Sequence, residues 1–233
     1  GETTLKYGGP TPPYTHLNVE EGYSWMKAPR FNEKPVEVGP LARVLVMYAT
    51  GNEQVVELVD STLAALDAPI EAVFSTLGRT AARAIETKVI ADQMPNWSDE
   101  LIANIAAGDL QNFNQERWEP STWPAHAEGF GWHEAPRGAL GHWIVIDNGK
   151  ISNYQMVVPT TWNGSPRDHL GQPSPYESSL ENTPMADPEQ PLEILRTIHS
   201  FDPCMSCAIH LMDVTGETML EVDATPGLTC RVY

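Results

Sequence analysis

The stretch Asp202-Pro203-Cys204-Met205-Ser206-Cys207-Ala208-Ile209-His210 concentrates ligand chemistry in this 233-residue sequence. Two cysteines with two residues between them can turn both sulfurs toward one ion, and thiolates are the donors that soft and borderline metals select. His210, three residues after Cys207, lies about one turn further on if the segment is helical. It could then bind a second ion or orient the first, while Asp202 can reach the far side of the cluster. The same C-x-x-C suits a redox dithiol, though no thioredoxin-like strand–helix–strand pattern surrounds it. It also suits half of a zinc site, which needs two more ligands; Cys230, the one other cysteine, stands apart near the C-terminus. Arg137, taken alone, reads as half of a structural ion pair.

Helices and one hairpin must position these groups. Residues 1–38 are turn-rich, with short extended pieces such as Tyr23-Ser24-Trp25-Met26 ended by Pro29. Leu41, Val44, Leu45 and Tyr48 follow Pro40 at helical spacing, and Val55, Val56, Leu58, Val59, Leu63 and Leu66 mark a second helix. A third run, Ile70 to Ile90, is expected to stop at Pro95, with Ser98 capping a short fourth helix that ends at Gly108. The block 39–108 therefore predicts a helical bundle. Residues 109–137 read as irregular. From Ala139 to Val158 the period drops to two around the turn Asp147-Asn148-Gly149-Lys150, which predicts a β-hairpin near 139–158. A polar, proline-rich loop is expected over 159–189, a helix over Pro191–Phe201, and a small β-element around Thr215-Gly216 in 211–233. The fold class is thus mainly α, with a smaller α+β part over 109–210.

Composition narrows the partners. Fourteen Lys and Arg against 31 Asp and Glu give a formal charge of −17, with no basic cluster to displace counterions from a nucleic acid. A hydrophobic share of 41% is too high for an acidic disordered tail. No run approaches the ~20 apolar residues of a membrane helix, and no signal pattern opens the chain, which leaves the compartment open.

The string Asp-Pro-Cys-x-x-Cys-x-x-His, preceded by Arg196-Thr197-Ile198-His199-Ser200-Phe201, resembles the C-terminal signature of the large subunit of nickel–iron hydrogenases. Tyr23-Ser24-Trp25-Met26-Lys27-Ala28-Pro29-Arg30, Glu37-Val38-Gly39-Pro40-Leu41-Ala42-Arg43, Glu134-Ala135-Pro136-Arg137-Gly138, Tyr154 through Asn163 and Ser165-Pro166-Arg167-Asp168 resemble further segments of that family in the same order. The resemblance covers essentially residues 1–210. It implies a hydrogenase large-subunit-like fold and reversible heterolytic cleavage of dihydrogen, with electrons leaving through an iron–sulfur small subunit. It also implies a Ni–Fe centre carrying carbon monoxide and cyanide on iron. In that scheme Cys204 is a terminal thiolate on nickel and the first proton acceptor, and Cys207 bridges nickel and iron. Arg137 hangs over the open face, oriented by Asp202. Thr160 and the backbone around Pro136, Arg137, Val158 and Pro159 face the diatomic ligands. His210 and the Met156 carbonyl hold a magnesium (or iron) ion.

Other residues are expected to be structural. His142, His169 and His199 carry no assignment, Glu134 could relay a proton but is expected instead to bond backbone, Arg167 and Asp168 to pair and fix a loop, and the seven tryptophans to serve core and loop packing.

Two departures from the family pattern qualify the resemblance. No cysteine precedes Cys204, so the N-terminal Arg-x-Cys-Gly-x-Cys pair of nickel ligands is not in this chain. The expectation is the C-terminal part of a longer subunit, or a partner polypeptide with the other half, and a chain inactive alone. Leu211 to Tyr233 extend past the histidine where mature subunits end, which implies a precursor tail cut by a maturation endopeptidase after nickel-insertion chaperones have acted, or a gene translation never processed. The alternatives are a metal-free respiratory-complex-like relative, from which Cys204 and Cys207 separate this chain, and a zinc- or nickel-binding interaction module completed by Cys230 or His199.

Overall fold

The computed structural model describes residues 24, 26–204 and the strand backbone at 208–212, 218–223 and 231–232. Helices α1 (Pro40–Ala49), α2 (Glu53–Ala65) and α3 (Thr76–Ala106) form a three-helix unit. Its core is Leu41, Val44, Val55, Val59, Ala82 and Ile85, the apolar positions that the helical spacing brings to common faces. Asn52 caps α2 by accepting from the Val55 amide, and Ser75 caps α3 by accepting from that of Gly78.

Several boundaries differ from the sequence reading. Ile70–Val73 is a short 3-10 turn, and α3 then runs unbroken through Pro95 and Ser98. Proline removes one backbone donor and crowds the carbonyl four residues earlier. Residues 91–106 are almost wholly exposed, so a local adjustment there costs no packing. Two of the prolines in the supposed loop 159–189 begin helices instead: α4 (Pro159–Asn163) and α5 (Pro175–Leu180) both start on proline, where the missing N–H is harmless. Ser174 and Glu177 close a reciprocal capping box on α5. Helix α6 (Leu192–His199) follows.

The hairpin is part of a three-stranded antiparallel sheet, β1 (His126–Ala135), β2 (Gly138–Asp147) and β3 (Lys150–Val157), in the order β1-β2-β3. Strand β1 lies in the segment read as irregular. Gly129 and Gly131 lower its β-propensity, but every residue from His126 to Ala135 finds a partner on β2. Asn148 and Gly149, both at positive φ, make the β2–β3 turn. A second sheet, β4 (Ala208–Met212), β5 (Thr218–Asp223) and β6 (Arg231–Val232), ends the fold. The architecture is therefore helices with two antiparallel sheets, and the helical bundle is confined to α1–α3. Among the described residues no helix is long and apolar enough to cross a membrane.

Tryptophan is less buried than expected. Trp97, Trp118, Trp123 and Trp132 are all exposed, with edge contacts such as Trp132–Trp143 (5.0 Å) and Phe113–Trp118 (5.6 Å).

Candidate metal-site region

Arg137 stands at the tip of a two-residue turn, Pro136-Arg137, between the paired residues Ala135 and Gly138. The turn is clamped from below. Arg43 on α1 donates from Nη1 to the Ala135 carbonyl and from Nη2 to the Pro136 carbonyl, both at 2.9 Å. Arg43 is itself held by Glu86 of α3 and by Glu134 at 3.0 Å. Hydrogen bonding to Glu86 is the main cause that raises the guanidinium's pKa, against burial that lowers it, with Glu134 adding to the rise. Glu134 thus bonds a side chain.

Glycine allows the close backbone approach at this turn. Gly39 and Gly138 both have φ beyond +120°. A Cβ on Gly39 would lie 2.8 Å from the Arg137 carbonyl oxygen, and one on Gly138 would lie 2.7 Å from the Gly39 nitrogen. Asn163 at the end of α4 ties the same segment down: its Nδ2 donates to the Val38 carbonyl (2.8 Å), and its Oδ1 accepts from the Val38 amide (2.9 Å).

The Cys204 segment arrives from α6. Two stacked turns, Phe201 N to Ile198 O (3.1 Å) and Asp202 N to His199 O (2.9 Å), close that helix. Asp202 then takes φ 56°, a left-handed conformation that Asp tolerates better than most residues, and the chain redirects into Pro203-Cys204. The Arg137 Nε donates to the Asp202 backbone carbonyl at 2.8 Å, and its guanidinium lies 3.2 Å from the Asp202 carboxylate. With side chains 37% and 44% exposed, that pair contributes orientation more than stability. The Cys204 amide donates to Thr160 Oγ1 at 3.2 Å, and the Cys204 thiol is free and exposed. Thr160 itself is buried on α4.

A phenol that the sequence reading left aside borders this group. Tyr176 on α5 packs on Phe201 with ring centroids 4.7 Å apart. Its hydroxyl oxygen is buried and has no hydrogen-bond partner of good geometry among the described residues, although Thr160 lies beside it. Burial, reinforced by the Asp202 carboxylate and opposed by the Arg137 guanidinium, pushes its pKa up.

The Arg137, Asp202, Cys204 and Thr160 groups, with the Pro136, Val158 and Pro159 backbone beside them, come together from three separate segments. Met156 lies on β3 opposite His142, with its side chain exposed. The side chains of Cys207 and His210 lie outside the described residues; the backbone of His210 is in strand β4, so the helical spacing considered for it does not apply. Arg167 and Asp168 do not pair with each other. Asp168 accepts from Arg30 Nε at 2.7 Å, because the turn bonds from Leu170 N and Gln172 N aim its carboxylate toward Arg30. Arg167 reaches Glu177 and Glu181 at 3.7 and 3.8 Å. His142 stacks on Tyr154 and shares a hydrogen bond with it.

Residues 1–210 match the family model for nickel-dependent hydrogenase. The chain belongs to the nickel-dependent hydrogenase family. It is 55% identical over 206 residues to the uptake hydrogenase large subunit of Bradyrhizobium diazoefficiens, covering 88% of this chain and 35% of that one. It is 52% identical to the hydrogenase-1 large chain of Escherichia coli, with 88% and 34% covered. A solved Ni-Fe-Se hydrogenase from D. vulgaris Hildenborough superposes with a TM-score of 0.61 at 33% identity, over 81% of this chain and 40% of that one. One from Dm. baculatum gives 0.63 at 34%, over 85% and 39%. The chain thus spans little more than a third of the curated relatives' length.

The residues present suit a metal of this hydrogenase family. The free Cys204 thiol follows directly on Asp202, which holds the Arg137 guanidinium, and the Cys204 amide is bonded to the buried Thr160 hydroxyl. Among the described residues no group of three His, Cys, Asp or Glu side chains could hold an ion alone, so a complete ligand set needs donors beyond them.

Proposed function

We propose that this chain supplies the C-terminal part of the catalytic large subunit of a nickel–iron hydrogenase, whose reaction is the reversible heterolytic cleavage of dihydrogen. The convergence of Arg137, Asp202, Thr160 and Cys204 carries this reading: hydrogen bonds join residues 65 and 44 positions apart. When bound, a Ni–Fe centre with carbon monoxide and cyanide on iron supplies the polarisation and two-electron chemistry that no side chain offers.

The chain's own groups supply the rest. Cys204 and Cys207 are two thiolate donors, with two more from the N-terminal part of the large subunit. Cys204 would also be the first proton acceptor, since a thiolate held on the metal would keep some basicity. Arg137 offers a planar, forked set of donors; its Nε is held on the Asp202 carbonyl, which supports a place for the guanidinium over the open face of the metals. Thr160 and the backbone at Pro136, Arg137, Val158 and Pro159 give donors and shape toward the cyanides, which need partners in a dry site. His210 and the Met156 carbonyl hold a magnesium or iron ion. Electrons pass to an iron–sulfur small subunit. Nickel-insertion chaperones and an endopeptidase that removes 211–233 complete maturation.

The test is C204S and R137K in the intact heterodimer. C204S should lose nickel and hydrogen uptake together. R137K should keep nickel and lose activity by about 10²-fold or more, the scale of one preorganised electrostatic donor. Zinc in place of nickel in the native protein, or full activity in C204S, would overturn the assignment.

A further inference from the structure

Thr160 Oγ1 already accepts one hydrogen bond, from the Cys204 amide at 3.2 Å. A hydroxyl has one proton and two acceptor sites. Filling the second acceptor site leaves the threonine proton one direction to take, away from both donors. The buried Tyr176 hydroxyl lies beside Thr160 and has no partner of good geometry among the described residues. An unmet buried hydroxyl is costly, so it needs a nearby acceptor.

The Tyr176 ring has little freedom to turn elsewhere. It rests on Phe201, 4.7 Å between centroids, and Phe201 lies beneath the Arg79 guanidinium, 3.8 Å from its ring centre. On another side a Cβ at residue 164 would come within 3.0 Å of the tyrosine ring, and 3.2 Å from the Thr160 carbonyl, so Gly164 lets ring and helix α4 touch. Phenol, threonine and cysteine backbone are therefore neighbours, held from α5, α4 and the segment after α6.

We propose that Tyr176 is a positioning residue: its hydroxyl donates to Thr160 Oγ1 and thereby aims the Thr160 proton at a metal-bound anionic ligand. This rests on the metal-site reading above. Tyr176 does not touch the reacting atoms. It acts through Thr160, and hydrogen bonds in a chain strengthen one another.

The experiment is infrared spectroscopy of the iron-bound diatomic ligands in the intact heterodimer, with nickel content and thermal midpoint measured beside it. Y176F keeps the ring and its packing and removes only the donor. It should load nickel and shift the cyanide bands, with the carbonyl band moving less. Bands that coincide with wild type would reduce Tyr176 to packing and overturn the proposal. In a T160V background the Y176F shift should vanish, as a coupled pair requires; a shift that persists there overturns the route through Thr160. Should Y176F carry no metal, 3-fluorotyrosine at 176, a stronger donor of nearly the same shape, should move the cyanide bands opposite to the Y176F sense, and unmoved bands overturn the proposal. Wild-type protein lacking diatomic bands altogether would instead remove the cofactor reading on which the inference stands.

Discussion

The ground under Arg137 and the outer half of α3 are stabilised in opposite ways. Beneath the site, burial is largely polar: Arg79, Thr160, Asn163, Ser165, Ser174, Thr197 and Ser200 are all buried. Most have a definite hydrogen-bond partner, as with Thr76–Thr197 at 3.2 Å and Ser200 Oγ to the Thr197 carbonyl at 2.6 Å. Along α3 beyond Ile90 the reverse holds, with Met94, Trp97, Leu101, Ile102 and Ile105 all exposed. Polar contacts are directional and fail outright when one partner is lost, whereas an exposed apolar helix face tolerates change. Geometry at the site is thus fixed by pairs that have to be complete, and the far end of α3 is fixed by little among the described residues.

The largest effect is expected at Arg79. It is 8% exposed, makes two 2.8 Å bonds to Glu37 and covers Phe201. R79M leaves Glu37 without its partner and should cost about 3–5 kcal/mol, read as a fall in the thermal midpoint of the intact large subunit. A loss under about 1 kcal/mol would mean that the polar ground is no more demanding than the surface.

Gly138 comes next. At φ 133° an alanine is strained, and its Cβ would lie 2.6 Å from a Val38 methyl and 2.7 Å from the Gly39 nitrogen. G138A should cost about 1–3 kcal/mol and, by moving the Arg137 turn, lower activity more than it lowers nickel content. Equal losses of both would show that the turn serves folding and not aim.

A smaller effect of opposite sign is expected on the other side of the comparison. Pro95 lies inside α3. P95A restores a helix donor and a better helix former, and should raise stability by about 1 kcal/mol or more. A loss instead would show that the proline's local shape is used by something beyond the described residues.

These contrasts also explain what could be read from residues alone. Helices α1 and α2 and the β2–β3 hairpin were legible because Leu41, Val44, Val55 and Val59, or Asn148-Gly149, declare themselves by spacing and turn chemistry. Strand β1 was hidden by Gly129 and Gly131, whose pairing depends on β2. Helices α4 and α5 were hidden because Pro159 and Pro175, read as loop markers, sit at helix starts. For the candidate site, the resemblance names Arg137, Asp202, Cys204 and Thr160, and hydrogen bonds join them in pairs. Arg43 lies in one of the segments that carry the resemblance, but its role follows only from its bonds to the Ala135 and Pro136 carbonyls. Tyr176 had no local signal, since its importance lies in contacts with residues 16 positions before it and 25 after.

The smallest expected effect is electrostatic and lies at the sheet end far from Arg137. His126 Nδ1 is 2.6 Å from Asp147 and its Nε2 is 3.3 Å from Glu128. Hydrogen bonding to Asp147, then to Glu128, raises the imidazole pKa above its ordinary value. Bonds from Ser152 and then His126 lower that of Asp147. A raised folded pKa means that the histidine's contribution is fully present below about pH 6.5 and fades as pH climbs through the folded value. For Asp147, the contribution is present above about pH 3.9 and fades as pH falls through its depressed value. The pair should therefore help most between those limits, and D147N should bring the NMR titration midpoint of His126 down toward 6.5. Because all three groups are about half exposed, that midpoint should also fall when salt is added, whereas the R79M loss, made in a pair only 10% and 24% exposed, should respond less to salt. A His126 midpoint insensitive to both D147N and salt would show that this end of the sheet is covered as tightly as the ground beneath Arg137.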